Sequence, residues 1–464
     1  MREARQSVPI EARVAVGAGA GLLGFSLTAI GLLFLAWARM DGFLVVVFLV
    51  PILLAASWPA FVRQARREHD PRLVQLLMLA LALKLIGSLV RYWVAVHVYE
   101  GNADAFGYHL SGIELAMRFR AGNFDTGLPS LSGTDFISFF TGIVYTITGP
   151  SIFAGFLLFS WLAFGGMFYL YRAFTIAIPD GRRRSYARLL FFMPSMLYWP
   201  SSIGKEAWML LMLGLAAFGT ARLLTGRPWR GLALAGTALW LAAIVRAHVA
   251  GMVVLGLVVA YLLARPPRRL GALGPVVKMV ALVALVVVAL GLLSKTQSYL
   301  LEKGIDPADG VNSVLAETTR RTDQGGSNFQ APSTSASLAK MPWAAVTILF
   351  RPFPFEAHNA QAAVTALEST VLLCLTIARR RAIWQAVRHL RKRPYVAFIL
   401  IYSALFIVGF ASIANFGILA RERTQLLPFF LVLLAVPQSR PRRATASVTS
   451  QERRVDADRQ LVGS

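Results

Sequence analysis

Long apolar runs separated by short polar segments make up most of this sequence of 464 residues. Runs of about 20 apolar residues recur between positions 14 and 437, and about 20 helical residues cross a bilayer core about 30 Å thick. The runs are continuous and lack the two-residue alternation of strands in a membrane barrel. The pattern therefore predicts an all-α fold, a polytopic transmembrane helical bundle of about 11 to 13 spans.

Most of the predicted spans follow directly from these runs. In chain order they cover approximately residues 14–37, 43–62, 73–97, 151–174, 205–222, 231–247, 249–264, 275–293, 361–378, 395–413 and 424–437. A further ascending segment begins at Leu189, and its two prolines, Pro194 and Pro200, cannot both lie inside one regular helix. This segment is therefore predicted to break before a descending helix that begins near Lys205.

Two further apolar segments, residues 136–149 and 341–350, are too short to cross a bilayer. They predict interfacial or re-entrant helices.

Basic residues between the runs predict how the bundle is oriented. Arginines cluster at 63–72 and 182–188, and the positive-inside rule places such loops in the cytoplasm. The opposite loops, about 98–135 and 295–341, then face outward, and the first of them is the most acid-rich part of the chain. The predicted organisation is a cytoplasmic N-terminus at 1–13, one transmembrane domain at 14–437 and a disordered cytoplasmic tail at 438–464.

The composition is strongly basic, with 47 Lys and Arg against 23 Asp and Glu and a formal charge of +24. Such a charge often indicates nucleic-acid binding, but here the basic residues form short blocks between apolar runs. This arrangement is typical of loops that rest on anionic lipid. We therefore expect membrane lipids and no nucleic acid as partners. The single cysteine, Cys374, excludes an intrachain disulfide.

Under this topology the unusual polar residues gather at the outward ends of predicted helices. They are Asp104, His109, Lys205, Glu206, Arg246, His248, Arg351, Glu356, His358, Asn359, Arg421 and Arg423. An ionised group at the bilayer centre costs roughly 2.5 to 3.5 kcal/mol, so such groups near the hydrocarbon usually mark a polar cavity.

Each of these residues also has a purely structural interpretation. Asp104 can be a solvated acid or a helix cap, and Lys205 and Glu206 can anchor a helix end at the lipid headgroups. Arg351 to Asn359 holds two prolines, an acid, a His and an Asn in nine residues, which is unlike a plain turn.

The residue types predict chemistry on a phosphate ester. Arg421 and Arg423 would lie outward, against the positive-inside trend, which favours anion binding. A guanidinium binds phosphate through two N–H groups, and a carboxylate beside it can remove a proton from an acceptor hydroxyl as general base. We expect Asp104 to be this base and the other eleven residues to bind substrate. The sequence shows no requirement for a cofactor, and the binding of a divalent metal remains an open alternative.

Several segments resemble type C glycosyltransferases. They are Asp104-Ala-Phe-Gly-Tyr108, the stretch 142–155, Tyr169-Leu-Tyr-Arg172 and the stretch from Pro194 to Glu206. The resemblance covers about residues 75–260. The resemblance implies a multi-pass enzyme of the bacterial plasma membrane that uses a polyprenyl-phosphate-linked sugar donor on the outer face. The acceptor would be a glycan, lipid or protein of the cell envelope.

The same resemblance implies that Asp104 matches the family's first-loop acid. The sequence departs from the family by placing three spans before that loop and by lacking an obvious paired Asp-Glu.

Two alternatives remain open at the sequence level. Arg421-Glu-Arg423 before a proline-containing final span resembles O-antigen-type polysaccharide polymerases, so a polymerase or ligase acting on polyprenyl-pyrophosphate glycans is the alternative. A transporter or lipid flippase is a third hypothesis. Transporters usually carry charges near the bilayer midplane and often show inverted repeats; the sequence pattern indicates neither.

Overall fold

The computed structural model describes residues 44–264, 273–302, 311–322, 329 and 340–438. Within these ranges the chain is all α-helical and contains no β-strand, which confirms the predicted fold class. The predicted span 14–37, about half of the loop 295–341 and the tail 438–464 beyond residue 438 lie outside the described residues.

Sixteen α-helices follow one another in these ranges. In chain order they are α1 (Leu44–Glu68), α2 (Arg72–His97), α3 (Asp104–Arg120), α4 (Gly133–Thr148), α5 (Ile152–Ala177), α6 (Arg183–Phe192), α7 (Pro194–Tyr198), α8 (Lys205–Leu224), α9 (Pro228–Leu263), α10 (Gly274–Glu302), α11 (Val311–Thr322), α12 (Met341–Phe350), α13 (Ala360–Arg388), α14 (Pro394–Phe410), α15 (Phe416–Arg423) and α16 (Leu427–Ala435).

Seven of the helices in the described ranges are long and apolar enough to cross a membrane: α1, α2, α5, α8, α9, α10 and α13. The protein is therefore a multi-pass helical membrane protein. The number of long helices is lower than the number of predicted spans for three reasons. The span 14–37 lies outside the described residues, the spans 231–247 and 249–264 fall within the single helix α9, and other spans contain only shorter helices such as α14. Residues 424–437, predicted as one span, contain only the nine-residue helix α16, which includes Pro428.

Two ion pairs mark one end of the bundle, and the start of α3 marks the other. Asp180, after α5, pairs with Arg393 before α14 at 2.7 Å, and Asp70, before α2, pairs with Arg184 of α6 at 3.0 Å. We call this the Asp180 end. Asp104, which begins α3, lies at the opposite end, which we call the Asp104 end.

The centre of the bundle is formed by α5 and α8, whose backbones touch. A methyl group placed on Gly214 would lie 2.2 Å from the carbonyl oxygen of Gly166, so any side chain at this crossing would force the helices apart. Small residues allow this close packing in membranes, where van der Waals contact and hydrogen bonds, rather than the hydrophobic effect, hold helices together. The contact sets the position of the start of α8, which carries Lys205 and Glu206.

The predicted break in the ascending segment is confirmed. Helix α6 ends at Phe192, α7 ends at Tyr198, and a non-helical stretch follows until α8 begins at Lys205. Lys84, fully buried in the middle of α2, donates hydrogen bonds to the carbonyl oxygens of Met196 at 2.6 Å and Pro200 at 3.1 Å. Its ammonium group therefore satisfies carbonyls in a stretch where prolines interrupt the helix.

Replacing Lys84 by methionine is expected to lower the free energy of unfolding by roughly 2 kcal/mol, because its two buried hydrogen bonds to the Met196 and Pro200 carbonyl oxygens are lost. Lys278 is the matched control, since it also donates to two carbonyl oxygens but at a more exposed helix end. Lys278→Met should change stability little. Thermal unfolding of the purified variants measures both effects. Wild-type stability in Lys84→Met would show that the cost of burying the ammonium group cancels its hydrogen bonds.

Helix α9 is interrupted at Arg246, whose φ of −144° and ψ of 82° are not helical. Its first half packs antiparallel to α8: Gly231 meets Leu223 near the Asp180 end, and the Trp208 ring donates a hydrogen bond to the Leu241 carbonyl near the Asp104 end.

The second half of α9 runs back along α14. Met252 contacts Gly409, and Gly256 contacts Phe398, which is closer to the Asp180 end of α14. The two spans predicted for 231–247 and 249–264 therefore correspond to the two halves of α9. The chain reverses at Arg246, which lies at the Asp104 end.

Candidate functional site

A cleft of about 290 Å³ lies at the Asp104 end, between α2, α3, the stretch before α8, and α15. Its walls combine acids, arginines, amides and aromatic rings. The polar and aromatic lining residues are Arg91, Tyr99, Asn102, Asp104, Tyr108, Phe156, Trp199, Ser202, Glu206, Asn415 and Arg421. Three residues proposed from the sequence, Asp104, Glu206 and Arg421, are thus brought together in one cavity.

Asp104 lies at the mouth of this cleft. It is the first residue of α3, but the cap position is Ala103 and no side chain caps the helix, so Asp104 is not a helix cap. One carboxylate oxygen, Oδ2, accepts a hydrogen bond of 2.9 Å from Nη1 of Arg421. The carboxylate is 64% exposed, and its other oxygen has no partner among the residues described. The carboxylate is therefore oriented by Arg421 and still accessible.

Behind Asp104, acids and arginines alternate into the protein. Nε of Arg421 lies 3.1 Å from Oε1 of Glu206, in an ion pair that lacks the alignment of a hydrogen bond. The same Glu206 oxygen accepts a 2.9 Å hydrogen bond from Arg246, which also bonds to Glu422. Arg246, Glu206 and Glu422 are buried. Paired charges of this kind hold one another in fixed positions in a low-dielectric interior.

The network fixes the protonation of two groups beside the cavity. The charge of Glu206, followed by those of Glu422 and Asp104, raises the pKa of Arg421 although partial burial opposes it. Burial, reinforced by the charges of Glu206 and Asp104, raises the pKa of Tyr108 to about 12. At neutral pH the cavity therefore presents a permanent cation and a neutral phenol.

Two guanidinium groups in the cavity keep unused donors. Arg421 bonds Asp104 through Nη1, which leaves Nη2 without an acceptor in the described part of the chain. Arg91 donates from Nη1 to the Tyr198 hydroxyl at 2.9 Å and lies 4.8 and 4.9 Å from the ring centres of Tyr198 and Trp199. These contacts orient Arg91, but its Nε and Nη2 atoms donate to no acceptor among the described residues. Such donors suit an anion.

Arg423 does not line the cavity, although it is only two residues from Arg421. It is fully buried and donates to the carbonyl oxygens of Leu349 and Arg351 and to Ser369 Oγ, and it lies 3.5 Å from a carboxylate oxygen of Glu368. These contacts join α12, α13 and α15. In this structure Arg423 joins helices and does not line the cavity, and its predicted role in substrate binding stays a prediction.

The segment 351–359 also lies away from the cavity lining. Arg351 pairs with Glu356 and lies over the rings of Phe329 and Phe416, at 4.7 and 5.1 Å. Burial alone would raise the pKa of Glu356, but hydrogen bonds from Arg351 and the Phe353 amide hold it below its ordinary value. Arg351 and Glu356 thus pair with each other outside the cavity, and their predicted role in substrate binding stays a prediction.

Other proposed site residues take different positions near this end. Asn359 caps α13, since its side chain accepts a 2.8 Å hydrogen bond from the Ala362 amide, and His358 is exposed beside it. The Nδ1 atom of His109 lies 2.8 Å from the Tyr145 hydroxyl, and the ring of His248 lies 6.0 Å from that of Phe410. None of these four residues lines the cavity.

Lys205 is half-buried and makes no hydrogen bond or ion pair with the described residues. It is absent from the cavity walls, but it directly precedes Glu206 and begins α8. Arg246 is likewise absent from the walls and acts behind them, where it holds Glu206 and Glu422.

Sequence reasoning missed Arg91, Lys84 and Glu368. All three are ionisable residues inside predicted spans, and that placement was itself a signal, because charged residues within transmembrane segments are rare and usually functional or paired. Arg91 proves to be the second cation of the cavity. Lys84 holds the broken segment, and Glu368 accepts a 2.6 Å hydrogen bond from the Ser195 amide in addition to its contact with Arg423.

The fold and this site define a polytopic helical membrane protein with a charged cavity at one end. Comparison with protein-family models, curated proteins and solved structures found no match. Among the described residues, no group of three or more His, Cys, Asp and Glu side chains is placed to hold a metal ion.

Proposed function

We propose that this protein is an integral membrane glycosyltransferase that moves a sugar from a polyprenyl-phosphate donor to a cell-envelope acceptor. The observation that carries the proposal is the pair Asp104 and Arg421 at the mouth of one cavity. An accessible carboxylate there adjoins a guanidinium that keeps an unused donor. Transfer from a phosphate ester needs both groups within reach of one substrate.

Asp104 is proposed as the general base. Its exposed oxygen takes the proton of the acceptor hydroxyl while the hydroxyl oxygen forms a bond to the anomeric carbon. The bond between that carbon and the phosphate oxygen breaks, and the phosphate leaves with the electron pair. The hydrogen bond from Arg421 holds the Asp104 side chain at the cavity, and the position of Asp104 in the first turn of α3 adds a favourable interaction with the helix dipole.

Arg421 and Arg91 are proposed to bind the donor phosphate. Both keep N–H donors that no described residue accepts, and the phosphate gains negative charge as the glycosidic bond breaks. The network behind Arg421, through Glu206 and Arg246, holds its guanidinium in place. The rings of Tyr108, Phe156 and Trp199 then offer apolar faces for the sugar.

The proposed site faces outward across a bacterial plasma membrane, with both chain termini in the cytoplasm. The arginine-rich segments 182–188 and 391–393 lie at the Asp180 end, and the positive-inside rule assigns that end to the cytoplasm. The Asp104 end is then on the side where envelope glycans are built. The acceptor class, glycan, lipid or protein, follows only from the family resemblance.

A polysaccharide polymerase or ligase is the second candidate, because Arg421 does line the cavity. Arg423, the other arginine of the element on which this alternative rests, is buried away from the cavity, so the structure supports the alternative less. The two activities differ in their dependence on the acid. A polymerase should lose chain growth in Arg421→Ala and tolerate Asp104→Asn, whereas the proposed transferase should lose activity in both.

The transporter hypothesis is favoured by one observation, the charged residues buried away from the cavity. Lys84, Glu368 and Arg423 are such residues. Lys84 donates to two backbone carbonyls. Glu368 accepts from a backbone amide and from Arg423, and Arg423 also donates to backbone carbonyls and Ser369. In this structure these residues therefore connect helices to one another. Transport remains the third hypothesis, and the assay below tests it.

The test is an assay of purified full-length protein in lipid with radiolabelled donors. A panel of polyprenyl-phosphate monosaccharides and one polyprenyl-pyrophosphate oligosaccharide is incubated with and without a membrane extract that supplies acceptors. Transfer or slow hydrolysis of a monosaccharide donor supports the proposed activity. Growth of the pyrophosphate-linked glycan alone would assign a polymerase, and no turnover of either donor would turn attention to transport.

A further inference from the structure

A second cavity, of about 280 Å³, lies at the Asp180 end between the end of α1 and the starts of α2 and α6. It is separate in position from the Asp104 cavity and shares no lining residue with it. Four arginines, Arg72, Arg183, Arg184 and Arg188, line it together with the two acids Glu68 and Asp70. The cavity therefore carries an excess of positive charge.

Both acids are already engaged by the protein. Glu68 accepts a 2.7 Å hydrogen bond from the Tyr171 hydroxyl and another of 2.7 Å from the Gln64 side chain, and it lies 3.7 Å from Arg183. Asp70 accepts a 3.1 Å hydrogen bond from Nε of Arg184. The acids thus orient two of the arginines at the cavity wall.

The other two arginines are unpaired. The guanidinium groups of Arg72 and Arg188 have no hydrogen bond or ion pair within the described ranges, although both line the cavity. Both guanidinium groups thus line one cavity without a partner among the described residues, and arginine is the residue best suited to phosphate.

The remaining wall of the cavity is apolar. Leu73 and Leu76 of α2 and Ala187 of α6 line it, and Leu73 and Ala187 are buried. Leu76 lies one helical turn further into the bundle than Arg72. A cavity with arginines at the helix ends and Leu76 one turn deeper matches a molecule that has a phosphate head and an aliphatic body.

We propose that this cavity binds the phosphate of an anionic phospholipid, with Arg72 and Arg188 as the main contacts. The acyl chains of the lipid would lie along Leu73 and Leu76. Basic pockets between transmembrane helices are suited to anionic headgroups by charge and by position. This site does not depend on the proposed transfer activity, since it lies at the other end of the bundle.

The experiment is native mass spectrometry of the full-length protein titrated with phosphatidylglycerol and, separately, with phosphatidylcholine. The test variant is Arg72→Gln with Arg188→Gln. The control is Arg227→Gln with Arg230→Gln, which removes the same charge from exposed residues at the α8–α9 turn, on the same end but outside the cavity. We expect the affinity for the tightest phosphatidylglycerol to fall roughly tenfold or more in the test variant and to change little in the control.

Each outcome decides between explanations. An equal loss in both double variants would show that general surface charge attracts the lipid and would overturn the proposal, as would tight binding that is unchanged in the test variant. Tighter binding of phosphatidylcholine than of phosphatidylglycerol would overturn it as well. A titration with inorganic phosphate and with glycerol phosphate distinguishes the source: if these soluble anions bind as tightly as the lipid, the cavity is a free-phosphate site and the lipid assignment fails.

Discussion

Asparagine in place of Asp104 is expected to lower the rate of sugar transfer by roughly 10²- to 10⁴-fold, the usual contribution of a general base. The amide keeps the size of the side chain and can still accept a hydrogen bond from Arg421, so donor binding should change little. The loss should therefore appear in kcat rather than in KM. Initial rates with a radiolabelled polyprenyl-phosphate sugar measure it.

Glu114→Gln is the matched control for this experiment. Glu114 lies on the same helix, its carboxylate is 63% exposed, and it pairs with an arginine, Arg118, at 2.6 Å, but it does not line the cavity. The control should keep near wild-type transfer. Full activity in Asp104→Asn would exclude Asp104 as the base, and an equal loss in both variants would assign the effect to α3 as a whole. Chain growth that survives Asp104→Asn but not Arg421→Ala would favour the polymerase.

Methionine in place of Arg246 is expected to lower the free energy of unfolding by roughly 3 to 5 kcal/mol, the usual cost of leaving a buried charge without its partner. Arg246 bonds both Glu206 and Glu422, and all three residues are buried. Glu206 keeps its ion pair with Arg421 in the variant. Glu422 keeps a hydrogen bond from Gln425 at 2.7 Å and a 4.0 Å contact with Arg421, and therefore bears most of the penalty.

A second substitution tests this explanation. In the variant that combines Arg246→Met with Glu422→Gln, the buried negative charge is removed together with its partner, and part of the lost stability should return. Thermal unfolding and the yield of folded protein in detergent compare the two single variants with the double variant. A double variant no more stable than Arg246→Met would show that the side chain of Arg246 acts through packing at the α9 reversal, and that its charge matters little.

The helical architecture was largely predictable because it depends on local properties of the chain. Apolar runs of sufficient length must form helices in a bilayer, where every backbone donor and acceptor has to be satisfied within the segment. The break after α6 was predictable for the same kind of reason, since a proline removes a backbone donor wherever the chain folds. The reversal of α9 was anticipated by the pair Arg246 and His248 between two apolar runs.

The composition of the cavity was only partly predictable. Asp104 and Arg421 are 317 positions apart and form a hydrogen bond, and both were identified because they are charged residues at helix ends. Arg91 and Trp199 were missed. Arg91 lies within an apolar span, and its role depends on the break after α7, which brings the rings of Tyr198 and Trp199 against its guanidinium.

The sequence by itself therefore determined the class of the protein, the approximate positions of its helices and the end of the bundle at which charge accumulates, because these follow from hydropathy and from local backbone chemistry. Only the tertiary structure decided which charged residues line the cavity and which ones hold helices together. Arg421 and Arg423 are equivalent in the sequence, yet residues two positions apart point to different sides of a helix. On α15 one of them reaches the cavity and the other is buried against backbone carbonyls. Which of the two arginines faces the cavity depends on how α15 is rotated about its axis. This rotation is set by packing against residues far away in the chain.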